Sequence, residues 1–342
     1  MAASSPPRLG VGIIGCNGVA WAHAKGHALV DETELKMVYD LDAQRASGMA
    51  STYECSVARS VDELLARQDI QIVDIVTPDE THVEFALQAV AAGKHVLVEK
   101  PVALALDDFD QIIHAVESAG VHAMGIQNKR WSPPNRKMVE MVKGGAVGQP
   151  VFIRIAEPAS PFHTPDQKIW QQRDAAWMLV HNGCHQVDLL CWMLEAFPVR
   201  VHAVSHPGQD WLPVHEFISL MLTFPGGTVA LSEENRIMQP AGYPFHREFY
   251  VVGTEGTLDL SDRQHHSTSM FTQDGFTPLG HEQYPDEENN FAGQFREFAQ
   301  AILEERETPI PLSFTRQVVA TVLAGAESMR NGQTVEMTEV GR

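Results

Sequence analysis

Two imidazoles and a carboxylate recur at helical spacing in one apolar stretch: His181, His185 and Asp188 of AAWMLVHNGCHQVDLLCWMLEAF. Residues four apart share a helix face, so the histidines lie one turn apart, with Asp188 on the same face. Such a pair can clamp a divalent metal, pass a proton, or sit as satisfied core histidines. A clamp needs a third ligand, and Glu157 and His163, shortly before the helix, are the candidates. Proton transfer suits imidazole, whose ordinary pKa is near neutrality.

A second chemistry is signalled by GIIGCNGVAWAH (12–23). A dinucleotide-binding turn reads G-x-G-x-x-G/A between a strand and a helix. Gly15 fits the tight turn and Ala20 the close helix–strand packing. Asn17 replaces the middle glycine; asparagine tolerates positive φ better than most residues, and Gly18 adds slack. Gly15, Asn17, Gly18 and Val19 are the expected pyrophosphate turn. Asp40 follows Gly15 by 25 residues, the place of a carboxylate that takes the ribose hydroxyls of NAD. A fixed carboxylate there disfavours a 2′-phosphate, so NAD is favoured over NADP. The competing reading of Asp40 is a helix N-terminal charge, as for Asp42. Two further clusters end strands: Thr77-Pro78 of TPDETH should border the cofactor, and Lys100 of EKP should point into the same crevice, paired with Glu99 or a cofactor hydroxyl. Alone, EKP could equally be a surface turn.

These residues need a scaffold, and the pattern supplies one. Short apolar runs at 9–15, 34–40, 70–78, 94–100 and 121–127 alternate with helical patterns at 19–29, from 42, 60–68, 79–92 and 106–119. Ser60 and Glu63 make a capping box for the third helix. The alternation predicts an α/β fold with a doubly wound parallel sheet over residues 1–127. The pattern then changes. A helix over 133–145 and a strand over 149–158 lead to the HNGCH helix. Strand runs follow at 198–205, 215–224, 228–237, 246–253 and 256–260, and FPGGT marks a hairpin-like turn. Helical patterns at 291–305 and 314–330 and a short strand at 333–337 close the chain. Residues 128–342 thus read as a second α/β domain with a large, mostly antiparallel sheet. No motif guides the reading of 262–290.

A net charge of −19 argues against nucleic acid or anionic lipid as a partner. No apolar run is long enough to span a membrane, and MAASSPPR lacks the apolar core of a signal peptide. Four cysteines without a C-x-x-C pair fit reduced thiols in a cytoplasm.

Together, Gly15-x-Asn17-x-x-Ala20, His23, Asp40, Thr77-Pro78, His82, Glu99-Lys100-Pro101 and the later His185-x-x-Asp188 resemble the glucose–fructose oxidoreductase/inositol dehydrogenase (Gfo/Idh/MocA) family over nearly the whole chain. The resemblance implies a Rossmann domain, NAD(P)-linked chemistry on a carbohydrate or polyol, and an open second-domain sheet that pairs subunits into a homodimer or homotetramer. It implies that Lys100 and His185 face the reacting carbon, with Arg130 near the substrate or nicotinamide. It places His82, Glu99, Asn128 and Trp170 at the cofactor. The family helix carries Asp where this chain has His181, which removes a counter-charge but leaves a group able to relay a proton or bind a hydroxyl. Under the resemblance, HNGCH is a metal-free relay in a dehydrogenase, with the clamp of Glu157, His181 and His185 as the lesser alternative. Two other functions compete: a metal-assisted lyase or hydrolase that oxidises a sugar only transiently, and a non-catalytic NAD-binding sensor.

Overall fold

The computed structural model describes residues 8–161, 173–238, 247–261, 268–272, 275–279 and 290–337. Its contacts divide the chain into two units, Met1–Trp131 with Glu287–Arg316, and Ser132–Asp286 with Gln317–Arg342.

The first unit alternates β1 (Leu9–Ile14), α1 (Ala20–Ala28), β2 (Thr33–Tyr39), α2 (Ala43–Tyr53), β3 (Ser56–Val57), α3 (Val61–Leu65), β4 (Ile72–Ile75), α4 (His82–Ala91), β5 (His95–Val98), α5 (Leu106–Ala119) and β6 (Ala123–Gly125). All its strands are parallel, in the order β3-β2-β1-β4-β5-β6. The central strands are near-continuous apolar runs because both sheet faces are covered. β1 pairs with β4 from Val11↔Ile72 to Ile14↔Ile75, and the order reverses between them, which opens a ligand crevice at the carboxyl ends. Asp42 caps α2 by accepting from Gln44 N–H. Ser60 caps α3 by accepting from Glu63 N–H, but the Glu63 carboxylate takes the Arg59 N–H rather than closing a capping box.

One element departs from the expected division at residue 127. The helix Asn290–Leu303 belongs to the first unit. Phe291, Phe295 and Phe298 join the core built by α1, β1 and β2. Each buried phenylalanine contributes on the order of 2–3 kcal/mol, enough for packing to override chain order.

The second unit holds α6 (Pro133–Lys143), β7 (Pro150–Pro158), a π-helical turn Leu179–Gly183, α7 (Cys184–Leu194), β8 (Arg200–His206), β9 (Phe217–Thr223), β10 (Val229–Asn235), β11 (Glu248–Gly253), β12 (Gly256–Asp259), β13 (Thr268–Thr272), β14 (Gly275–Leu279) and β15 (Val335–Glu336). α8 is the Asn290–Leu303 helix already described, and α9 (Leu312–Asn331) crosses the unit boundary. The sheet order is β14-β13-β12-β11-β7-β10-β9-β8-β15. It is mixed: β7 and β10 pair in parallel, and the other neighbours are antiparallel. The FPGGT turn joins β9 to β10 as expected. The antiparallel β13–β14 pair falls within 262–290, where no motif points to a strand.

Candidate active site

The carboxyl edge of the first sheet gathers four of the expected groups: Gly15 after β1, Asp40 after β2, Thr77 after β4 and Lys100 after β5. Gly15 has φ +97, and a Cβ there would sit 2.2 Å from the Val76 carbonyl oxygen. Only glycine fits so close a backbone approach. The second left-handed residue of the turn is Gly18 (φ +52), not Asn17, so the turn does not draw on asparagine's tolerance of positive φ. Asn17, Gly18 and Val19 are exposed, and α1 begins without a side-chain cap. The N–H groups of Ala20, Trp21 and Ala22 close a tight turn onto the carbonyls of Asn17, Gly18 and Val19, so it is the exposed turn itself, at the positive end of α1, that offers a place for a pyrophosphate. A Cβ on Gly18 would meet nothing within 4 Å, so the turn has room beside it. Asp40 accepts from Cys16 N–H through Oδ2 (2.7 Å) and from Asp42 N–H through Oδ1 (2.8 Å). The carboxylate is thereby fixed on the phosphate turn, and each oxygen keeps a second lone pair for a ribose hydroxyl. Burial, with Asp40 beside it, pushes the Cys16 thiol up to about 12, so Cys16 packs rather than reacts.

Two residues expected at the cofactor are buried and tie together the loops after β4 and β5. His82 is fully buried, with Nδ1 2.7 Å from the Pro101 carbonyl oxygen and Nε2 2.9 Å from that of Thr77. Both ring nitrogens are spent on bracing the loops after β4 and β5 together. Glu99 is also buried: Oε1 accepts from His23 and Oε2 from Lys100 N–H (2.9 Å). Lys100 itself is half-buried, at a cis Lys100–Pro101 peptide.

Behind Glu99 lies a cluster that the motifs do not reveal. His23 donates Nδ1–H to Asp74 (2.8 Å) and Nε2–H to Glu99 (2.9 Å). His27 Nε2 stands 3.2 Å from the same Asp74 oxygen, and its ring stacks on Phe295 at 3.9 Å. Burial opposes charge on His23, but the two carboxylates override it and push its pKa up to about 9. Burial likewise resists ionisation of Asp74, and His23 overrides it, holding the carboxyl down at about 2. Glu99 is held below its ordinary range against burial by the same imidazolium, and burial lowers His27, which stays neutral. His23 and Glu99 stand among the motif residues of the sequence without anything to link them; the further signal is Asp74, a carboxylate inside the buried strand run IQIVDIVTP, which requires a partner.

In the second unit, His181 lies in the π-helical turn and His185 in the first turn of α7. The i→i+5 bonding of a π-turn changes the helical phase, so the spacing assumed for a continuous α-helix does not hold across 179–183. Both histidines and Asn182 are nevertheless half-exposed, whereas Gly183, Cys184 and Gln186–Cys191 are buried. Asn182 therefore joins the accessible face, which the sequence reading did not foresee. The His181 ring stacks on Trp177 at 4.4 Å. Gln186 anchors α7 by donating to Glu234 and accepting from Ser232 of β10 (2.8 and 2.7 Å), which fixes the rotation of His185 beside it. Asp188 is buried within α7. Among the described residues no three His, Cys, Asp or Glu side chains form a group able to hold a metal. Glu157, the expected third ligand, lies 3.5 Å from Arg247. Asn128 is half-exposed on the turn after β6, and Arg130 on the same turn is buried, its guanidinium 4.5 Å above the Phe314 ring. Trp170 and His163 lie outside the described residues.

Comparison with known proteins agrees with this architecture. Residues 9–126 match the model of an oxidoreductase family with an NAD-binding Rossmann fold, and residues 135–259 match the GFO/IDH/MocA C-terminal domain. An inositol 2-dehydrogenase of Rubrobacter xylanophilus is 26% identical over 299 residues, 84% of this chain and 82% of that one. A UDP-N-acetylglucosamine 3-dehydrogenase of Acidithiobacillus ferrooxidans is 31% identical over 229 residues, 67% of each chain. The fold matches, with a TM-score of 0.87 at 19% identity, an Agrobacterium radiobacter oxidoreductase solved with NAD+, L-tartaric acid and magnesium, covering 97% of this chain and 99% of that one. With the Gly15 turn, Asp40 and the 3-2-1-4-5-6 sheet already in place, these matches show that the chain belongs to the GFO/IDH/MocA family of NAD-binding oxidoreductases.

Proposed function

We propose that the chain is an NAD-dependent dehydrogenase acting on a secondary hydroxyl of a carbohydrate or polyol, and that NAD is used in preference to NADP. The observation that carries the reading is the carboxyl edge of the first sheet, where the Gly15 turn, the uncapped start of α1 and the fixed Asp40 carboxylate fit a dinucleotide with free ribose hydroxyls. Bound NAD supplies the hydride acceptor. Asp40 holds the ribose, and the α1 N-terminus holds the pyrophosphate. Thr77 and Pro78 border the cofactor, and Asn128 and Arg130 serve the nicotinamide or substrate side. The hydroxyl proton passes to Lys100 or to His185, both half-buried and so reachable by a small molecule. His181, steadied on Trp177, positions a substrate hydroxyl or relays the proton. The named activities of the relatives, on inositol and on a nucleotide sugar, support a polyhydroxylated substrate. The test is a panel of inositols, sugars and sugar acids with NAD+, read by NADH absorbance. A rise with one substrate is expected, and no rise with any, while NAD+ binds, would count against the reading.

Two finer features belong to the same proposal. The second sheet exposes Val204 of β8 and Met221 of β9 among alternating buried residues, and we assign this face to pairing with a second copy, giving a homodimer or homotetramer. Light scattering showing a monomer at micromolar concentration would refute it. We assign the enzyme to the cytoplasm on its four free cysteines; among the described residues no helix is long and apolar enough to cross a membrane.

A further inference from the structure

We propose that His23 is a positioning residue for Lys100: held between Asp74 and Glu99, it fixes the Glu99 carboxylate so that its outer oxygen holds the Lys100 backbone in place. The line is continuous. Asp74 Oδ2 accepts from His23 Nδ1–H at 2.8 Å, His23 Nε2–H donates to Glu99 Oε1 at 2.9 Å, and Glu99 Oε2 accepts from Lys100 N–H at 2.9 Å. Around His23 stand Asp74 from β4, Glu99 from the end of β5, His27 from α1 itself, and the Phe291 and Phe295 rings from α8 at 4.5 and 5.3 Å. No water-facing group competes, because His23, His27 and Asp74 are fully buried.

Stability alone does not account for the cluster. A buried ion triad is often no more stable than well-packed apolar side chains of the same volume, and α1 already packs on α8 through apolar contacts. What the triad adds is direction. A carboxylate gripped on one oxygen by an imidazolium presents its other oxygen at a fixed place, and that oxygen holds the residue whose side chain is assigned to the proton-transfer step. The proposal rests on the reading of Lys100 as a proton-transfer group, but its first test does not depend on turnover.

The full chain, labelled with ¹⁵N-lysine and saturated with NAD+, gives separate amide signals for Lys100 and Lys94. The Lys94 N–H, bonded to the Ala89 carbonyl oxygen in the same unit, is the control. In His23→Gln the Lys100 amide should exchange at least about tenfold faster while Lys94 keeps its protection. Equal loss at both lysines means that the unit has merely loosened, and no change at Lys100 means that Glu99 needs no support; either overturns the proposal. Should His23→Gln fail to fold, Asp74→Asn, which keeps the shape and removes the charge, carries the same comparison. With a substrate found in the panel, His23→Gln should lower kcat by about 10- to 100-fold and leave KM for NAD+ within about threefold. Glu99→Gln should match it, and the double variant should be no worse than the weaker single. Additive losses, or a fall in melting temperature with kcat unchanged, would contradict the positioning role. If the wild-type chain turns over nothing, the dehydrogenase reading fails while the Lys100 amide still decides this one.

Discussion

Raising the pH from 6.5 to 9 should unfold the first unit at progressively lower temperature. His23 has an ordinary pKa of 6.5 and is pushed up to about 9 in the folded chain. Below pH 6.5 the folded and unfolded chains both hold this proton, and the stabilisation is complete. Between 6.5 and 9 the unfolded chain releases a proton that the folded chain retains, so stability falls with pH and the contribution is lost beyond the folded value. At about 1.4 kcal/mol per pH unit of difference, the loss is on the order of 3 kcal/mol. Spread over a unit of about 160 residues, that corresponds to a fall of about 9 °C in melting temperature. On the acid side, Asp74 acts in the opposite sense: its stabilisation is present above 3.8 and is lost as the pH falls through about 2. Calorimetry from pH 5 to 9.5 measures the alkaline slope, and Asp74→Asn supplies the comparison. Without the Asp74 charge, which contributes most to raising the His23 pKa, the decline should shrink and begin at lower pH. A flat wild-type profile from 6.5 to 9, or an identical slope in Asp74→Asn, would refute a buried imidazolium at His23.

The cofactor turn yields a contrasting pair. Gly15→Ala would drive a Cβ to 2.2 Å from a carbonyl oxygen and should abolish NAD+ binding in calorimetric titration. Gly18→Ala enters open space, so only the left-handed backbone costs, about 1–2 kcal/mol, and NAD+ should still bind. Asp40→Ala should weaken NAD+ by about 10- to 100-fold, a loss of about 1.4–2.7 kcal/mol, and bring NADP+ closer to parity, measured by competition. Lys100→Met should lower kcat by about 100- to 10,000-fold, the range of a lost general base, with NAD+ affinity within about tenfold of wild type.

The parts of the molecule governed by local rules were legible in the sequence. The strand–helix alternation gave the first sheet, and Gly15 and Asp40 announced themselves because a phosphate turn constrains residue type at fixed spacing. Thr77 and Lys100 followed from their places at strand ends. What escaped depends on contacts distant in sequence. His23, Asp74 and Glu99 come from α1, β4 and the end of β5, and no spacing rule links them. The return of α8 to the first unit is set by Phe291, Phe295 and Phe298 against the α1 core, which an amphipathic pattern alone cannot assign. The π-turn at His181 was hidden because the apolar run around it suits any helix type. The bracing role of His82 is equally illegible in the sequence, because it depends on the backbone carbonyls of Thr77 and Pro101 that its two nitrogens face.

The most direct test of the central claim is a count of NADH formed per chain during conversion of a substrate identified in the panel. A dehydrogenase accumulates NADH well beyond one equivalent, matched mole for mole by a carbonyl product, and loses both in Lys100→Met. Substrate consumed to completion with no more than one equivalent of NADH would mean that the hydride returns within each turnover, and would contradict net dehydrogenation.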